Sequence, residues 1–244
     1  MVAFKRYLSG CLVVVGLAFS VLSEASVIVS GTRVIYPADM RDISVNLTNN
    51  GETPSLVQVW IDRGDPDSTP DDADVPFFTT PPVMRIDAGQ GQAIRIASLG
   101  AAGPLDRESV FWLNVLEVPA SDASAASGNH LQLAYRTRIK LFYRPAGLTG
   151  SPEEAPAALR WGIEPGQADV LDVDNDSAYS VSLARIRVSR DGRVVASAEG
   201  RLVPAHGHQR FVLAPTSNAG GRGDRVEFSW INDYGVPQTL TADL

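Results

Sequence analysis

The chain has 244 residues, 21 basic and 28 acidic, with a formal net charge of −7. That balance repels phosphate backbones and argues against a nucleic-acid partner. Its single cysteine, Cys11, falls in the first 25 residues, so the chain after them has no thiol for a disulfide, a Cys-ligated metal or a Cys nucleophile.

Residues 1–25 read as a secretory signal. Lys5 and Arg6 precede an apolar stretch from Tyr7 to Leu22, and Ser23-Glu24-Ala25 puts small residues at the −3 and −1 places of a signal-peptidase site. The stretch is too short and wrongly flanked for a transmembrane span, so no membrane insertion is expected after cleavage. Leu8-Ser9-Gly10-Cys11 imitates a lipoprotein box but precedes the apolar stretch that such a box should follow. The mature chain then starts near Ser26, outside the cytoplasm. Losing Lys5, Arg6 and Glu24 leaves 19 basic residues against 27 acidic, a net of −8, and 18 of the 19 are arginine. The lone lysine is Lys140.

From there the chain reads as strands. Ile43, Val45 and Leu47 alternate with Ser44 and Asn46; Val57, Val59 and Ile61 alternate with Gln58 and Trp60; Ile94 and Ile96 flank Arg95; Val110 to Val118 is nearly continuously apolar. Period two with half-polar faces is the antiparallel signature. Ala120 to Asn129 is small, polar and loop-like. Pro145 to Pro152 breaks the strand pattern and marks a boundary between domains at 26–146 and 152–244. Beyond it, Val181 and Leu183, then Ile186 and Val188, then Phe211, Leu213, Val226, Phe228 and Trp230 repeat the pattern. Frequent turn signals, such as Asn49-Asn50-Gly51, Asp191-Gly192 and Gly220-Gly221-Arg222-Gly223, complete an all-β reading of two immunoglobulin-like sandwiches.

His130 to Arg144 is the most informative segment. Leu131, Leu133, Tyr135, Thr137, Ile139, Leu141 and Tyr143 share one face, and Gln132, Ala134, Arg136, Arg138, Lys140, Phe142 and Arg144 lie on the other. Fifteen extended residues span about 50 Å, beyond the roughly 17–20 Å of an ordinary strand. One sandwich cannot cover that length. A bare apolar edge is an aggregation liability unless it is used, and its natural use is to add a strand to a partner.

Thr32-Arg33-Val34-Ile35-Tyr36-Pro37, Thr80-Pro81-Pro82-Val83, Asp106-Arg107-Glu108-Ser109, Ile139-Lys140-Leu141-Phe142-Tyr143-Arg144-Pro145 and Ile231-Asn232-Asp233-Tyr234-Gly235 occur in order along the mature chain. Together they resemble the PapD-like periplasmic pilus (fimbrial) chaperones, in their short-loop branch. The resemblance implies a periplasmic, non-enzymatic protein of two sandwiches set at an angle around a cleft. It would cap pilus subunits that lack their last strand and deliver them to an outer-membrane usher. Leu131, Leu133 and Tyr135 would be the subunit-binding face of the lent strand. Arg33 and Lys140 would anchor the subunit's C-terminal carboxylate. Glu108, Arg144 and Asp233 would form an interdomain charge network. Thr80, Pro81, Pro82 and Val83 would lie near the usher-contact surface, and the resemblance suggests a cis Thr80–Pro81 bond. The bare strand also offers a route to a self-capping homodimer. Strict alternation puts Lys140 on the face opposite Leu133, so either a bulge or the twist of the strand must bring it into the cleft.

No cofactor or metal is implied. Asp172, Asp174 and Asp176 imitate a calcium loop but lack its Gly at position six and Glu at twelve. His206 and His208 lack nearby partners. The two Arg-Gly-Asp tripeptides, at 63–65 and 222–224, are ordinary turn sequence. No G-x-S-x-G, Walker loop or H-E-x-x-H occurs. The main rival reading is a secreted immunoglobulin-like structural or adhesive pilus component, which would need an apolar N-terminal extension and usually a disulfide.

Overall fold

The computed structural model describes residues 26–120, 133–164, 166–167, 169–215 and 225–244. The signal segment, most of the loop 120–129, Leu131, the glycine turn at 220–223 and the second Arg-Gly-Asp lie outside the described residues.

The first sandwich pairs two sheets. One runs in the order β1 (Val27–Val29), β3 (Asp42–Asn49), β7 (Gly91–Ser98), β5 (Phe77–Thr80). The other runs β2 (Arg33–Pro37), β9 (Tyr135–Arg144), β8 (Ser109–Pro119), β4 (Ser55–Asp62), β6 (Val83–Ile86). The alternation explains the packing. Val45 and Leu47 of β3 and Ile94 and Ile96 of β7 point inward onto Val57, Val59 and Ile61 of β4 and Phe111, Leu113 and Val115 of β8. Ser44, Asn46 and Arg95 face water. Burying each large aliphatic side chain contributes about 1.5–3 kcal/mol.

The N-terminal strand changes sheets. β1 pairs with β3, whereas β2, only three residues later, pairs in parallel with β9 of the opposite sheet. Gly31 makes the switch at φ +97, a conformation that favours glycine. Just beyond, Tyr36 is fully buried between the rings of Phe77 and Tyr143, with centroids at 5.4 and 5.9 Å. Its hydroxyl accepts the Ser98 N–H at 3.0 Å and donates to the Arg41 carbonyl at 2.9 Å.

The second sandwich pairs β10 (Arg160–Ile163), β11 (Val170–Asn175) and β15 (Gly207–Val212) with a larger sheet. That sheet runs β16 (Ala214–Pro215), β13 (Arg193–Glu199), β12 (Val181–Arg190), β17 (Arg225–Ile231), β18 (Pro237–Asp243), with β14 (Leu202–Val203) added to β12. Leu171, Val173, Ile186, Val188, Phe211 and Phe228 fill its core. The three-residue step from Leu183 to Ile186 has a physical cause: the β12–β17 register shifts between Leu183 and Arg185, and the irregularity absorbs the extra residue. A 3₁₀ turn at Ala155–Ala158 follows the junction between the sandwiches. The fold is therefore all-β, with two immunoglobulin-like domains.

Tyr36→Phe should cost about 1–2 kcal/mol, because the Ser98 N–H and Arg41 carbonyl lose their shared partner in a dry site. Urea unfolding with an unchanged m-value checks it.

Candidate functional site

Strand β9 has β8 beside it from Tyr135 to Tyr143, in an unbroken register from Glu117↔Tyr135 to Ser109↔Tyr143. On its other side β2 covers only Lys140 to Arg144. Among the described residues, Arg136 to Ile139 therefore have a strand on one side only. The inward face fills the core at one end, where Ile139, Leu141 and Tyr143 are buried. At the other end it emerges into solvent, and Leu133 is 47% exposed. Leu133 is described but precedes the strand, which is shorter than fifteen residues here. Pro119, two residues past Glu117 on β8, has no N–H to offer a residue opposite it.

The unbroken register excludes a bulge between Tyr135 and Tyr143. Alternation holds within the strand, and Lys140 lies on the face opposite Tyr135, with Arg136 and Arg138. These three cations differ in their partners. Arg138 forks onto the Asp62 carboxylate at 3.0 and 3.1 Å, and Arg136 bonds Asn114 Oδ1 at 2.8 and 3.0 Å. Each also lies over a tryptophan, Arg136 over Trp60 at 4.6 Å and Arg138 over Trp112 at 5.0 Å. Asp62 is 3% exposed. Burial alone would push its carboxyl up, but hydrogen bonds from Ser68, Asn114 and the Gly64 N–H, with the charge of Arg138, hold it below the usual range.

Among the described residues Lys140 forms no salt bridge with a carboxylate. Its Nζ sits 5.2 Å from the Trp112 ring centroid. Parallel pairing places Arg33 directly beside it on the next strand. Burial lowers the Lys140 pKa from its ordinary value, and the Arg33 charge lowers it further. Burial likewise lowers Arg33, with Asp233 opposing. Arg33 donates to the Ile231 carbonyl at 2.7 Å, lies over Phe142 at 5.7 Å, and keeps a buried Nε without a partner. Two desolvated cations thus sit side by side where β9 meets the second domain. Such a pair favours an anion with several acceptor oxygens.

The junction itself is held by Arg144. It donates to Glu108 Oε1 at 2.6 Å and forks onto Asp233 at 2.7 and 3.1 Å. Glu108 also accepts the Ser180 N–H at 2.8 Å, and its own N–H donates to the Ala178 carbonyl at 2.9 Å. Burial pushes the Glu108 carboxyl up, countered by the charge of Arg144 and the Ser180 N–H. Burial alone would lower Arg144, but the hydrogen bonds and charges of Asp233 and Glu108 raise it. Asp233 lies in the β17–β18 turn, where Asn232 Oδ1 accepts the N–H groups of Tyr234 and Val236. Gly235 in that turn has φ +80, and an added Cβ would stand 2.4 Å from Thr32 Oγ1.

Thr80 to Val83 links β5 of one sheet to β6 of the other, with the Thr80–Pro81 bond cis and Val83 exposed. Elsewhere, Asp174 and Asp176 of the calcium-loop imitation face Arg160 at 3.6 and 3.0 Å. Sequence reasoning missed Asp62, Asn114 and Trp112. A charged residue closing the apolar alternation of β4 was the one signal available.

Two family models match the chain: the pili and flagellar-assembly chaperone PapD N-terminal domain over residues 26–149, and the pili assembly chaperone PapD C-terminal domain over 154–242. The probable fimbrial chaperone YadV of Escherichia coli K12 is 44% identical over 225 residues, 90% of each chain. A crystal structure of YadV chaperone has a TM-score of 0.78, covering 90% of this chain and 100% of that one. The chaperone protein FimB/FhaD of Bordetella pertussis is 41% identical over 222 residues, 87% of this chain and 86% of its own. A solved complex of the Salmonella enterica SafA pilin with the SafB chaperone matches at 28% identity and a TM-score of 0.74, covering 91% of this chain and 98% of the matched one.

Arg144→Ala should destabilise the protein by about 3–5 kcal/mol, because it leaves Glu108 buried without its cation. The double variant Glu108→Gln with Arg144→Leu should lose less than Arg144→Ala alone. Chemical denaturation of the three proteins checks the order.

Proposed function

The chain belongs to the PapD family of pili assembly chaperones, and on that premise we propose that it is a periplasmic chaperone that captures pilus subunits by lending them the open edge of β9 and passes them to an outer-membrane usher. Members of the family are chaperones rather than enzymes. One observation carries the reading. Among the described residues, an edge with a strand on one side only, Arg136 to Ile139, runs into two half-buried cations, Arg33 and Lys140, neither of which forms a salt bridge there.

A subunit lacking a strand exposes a groove and a row of backbone groups. The β9 edge offers complementary N–H and C=O groups, and its apolar face continues outward from the core through Tyr135 and Leu133. Leu131, outside the described residues, would extend that face. Each side chain buried in the groove contributes about 1.5–3 kcal/mol, and alternate pockets set the register. The subunit's terminal carboxylate then receives charge-assisted hydrogen bonds from Arg33 and Lys140. Ammonium and guanidinium differ in the way that suits this pairing: Lys140 is a rotatable point charge held by Trp112, and Arg33 a fixed fork. The Glu108–Arg144–Asp233 network keeps the second domain against the end of β9, so the cations stay desolvated. Thr80 to Val83, exposed between sheets, is the segment assigned to usher contact. Without a subunit, the same edge can pair with a second copy as a self-capping dimer.

Co-expression with a fimbrial subunit and affinity capture tests the reading. The wild type should give a soluble 1:1 complex. Leu133→Glu should lose it while remaining folded, because Leu133 is half exposed in the free chain. Arg33→Ala and Lys140→Ala should each weaken capture roughly 10- to 100-fold. Lys140→Met should weaken capture to the same degree as Lys140→Ala yet melt at the wild-type temperature or roughly 1–4 °C above it, since it removes a half-buried charge that forms no salt bridge among the described residues of the free protein. Full capture by both anchor variants overturns the carboxylate assignment.

A further inference from the structure

Glu117 belongs to neither the edge nor the cationic cleft. It points inward from β8 at the end of the first sandwich and is 2% exposed. Its Oε2 accepts the Val27 N–H at 3.0 Å, and its Oε1 accepts the Ser55 hydroxyl at 2.9 Å and the Ser26 hydroxyl. It therefore ties β8 and β4 of one sheet to the start of β1 in the other. All these donors are neutral, and among the described residues no basic side chain forms an ion pair with it. A carboxylate withdrawn from water without a cation is costly, and nothing proposed so far for subunit capture uses this one.

A cation is available from the backbone. Cleavage after Ala25 would turn the Ser26 amide nitrogen into an α-ammonium. Backbone nitrogens of consecutive residues lie roughly 3–4 Å apart, and the Val27 nitrogen is already in contact with Glu117. Ser26 is also fixed in place, because its carbonyl accepts the Asn50 N–H at 2.8 Å and its hydroxyl reaches the carboxylate. We propose that the Glu117 carboxylate is a docking site for the α-ammonium that signal cleavage creates at Ser26, an ion pair that closes the end of the first sandwich only in the processed chain. Before cleavage the same nitrogen is a neutral amide and the carboxylate has no counter-charge. The inference rests on the secretory reading above, which makes Ser26 the first mature residue.

The test is a two-by-two comparison of melting temperatures. The mature chain is prepared with a free Ser26 amine or with an N-α-acetyl group, each with Glu117 or with E117Q. Acetylation should lower Tm by roughly 4 °C or more with Glu117, and by under about 1 °C with E117Q. Equal shifts in both backgrounds, or no shift in either, overturn the pairing. Should E117Q fail to fold, N-α-acetyl and N-α-isopropyl forms of the wild-type chain, alike in bulk but neutral and charged, replace it. Equal Tm values for those two then overturn the proposal. The N-terminal sequence of the secreted protein tests the processing reading separately, because a start other than Ser26 sinks that reading whatever the melting experiment returns.

Discussion

The contact on which the site depends is Arg144 held between Glu108 and Asp233. Arg144 ends β9, Glu108 precedes β8, and Asp233 sits in a turn of the second domain. One guanidinium therefore joins both central strands of the first sandwich to the second sandwich. The Glu108 side chain is 1% exposed, so the network works in a low dielectric, where a missing partner is punished more than a present one is rewarded. The close approach of Gly235 to Thr32 and the bond from Arg33 to the Ile231 carbonyl follow from that docking. So does the burial that desolvates Arg33 and Lys140.

Along β9 the same chemical type, a cation on every second residue, is put to different uses by its surroundings. Arg136 and Arg138 are spent internally: Asn114, Asp62 and the two tryptophans hold them flat on the sheet. Lys140, next in the row, finds an aromatic face but, among the described residues, no salt bridge with an acid. An aromatic ring positions an ammonium without neutralising it, whereas a carboxylate would do both. Asp62 thus sharpens the site indirectly, because it takes up the guanidinium of Arg138, two residues before Lys140 on the same face, and leaves Lys140 with Arg33 as its charged neighbour.

Much of this was legible in the sequence, for reasons that can be named. Alternation in β3, β4 and β7 is dictated by a buried face meeting a wet one, so the strands and the all-β class could be read directly. The conflict between Leu133 and Lys140 was also legible, although its resolution was not. The register with β8 is unbroken from Tyr135, and Tyr135 and Lys140 face opposite ways because one face serves the core while the other serves the junction. Phe142 shows the limit of period-two reasoning. It falls on the polar face of the strand yet is buried, with the Arg33 guanidinium over its ring at 5.7 Å. Asp62 and Asn114 were missed for the opposite reason: a charged residue closing β4 hinted at Asp62, but a buried polar residue is recognised by partners far along the chain, and Arg138 lies 76 positions from Asp62. The strand's start at Tyr135 depends on what lies beside it, which no local pattern records.

The sheet switch at Gly31 has a consequence of its own. β2 begins at Arg33 because the chain must first leave β1 in the opposite sheet, and that starting point fixes how much of β9 is sheathed. Each residue by which the switch moved along the chain would cover or uncover about 3.3 Å of edge. The turn between two short strands thus works as a ruler. It sets how many rungs of the β9 ladder stay open on that edge among the described residues, and the open stretch ends where Arg33 pairs with Lys140.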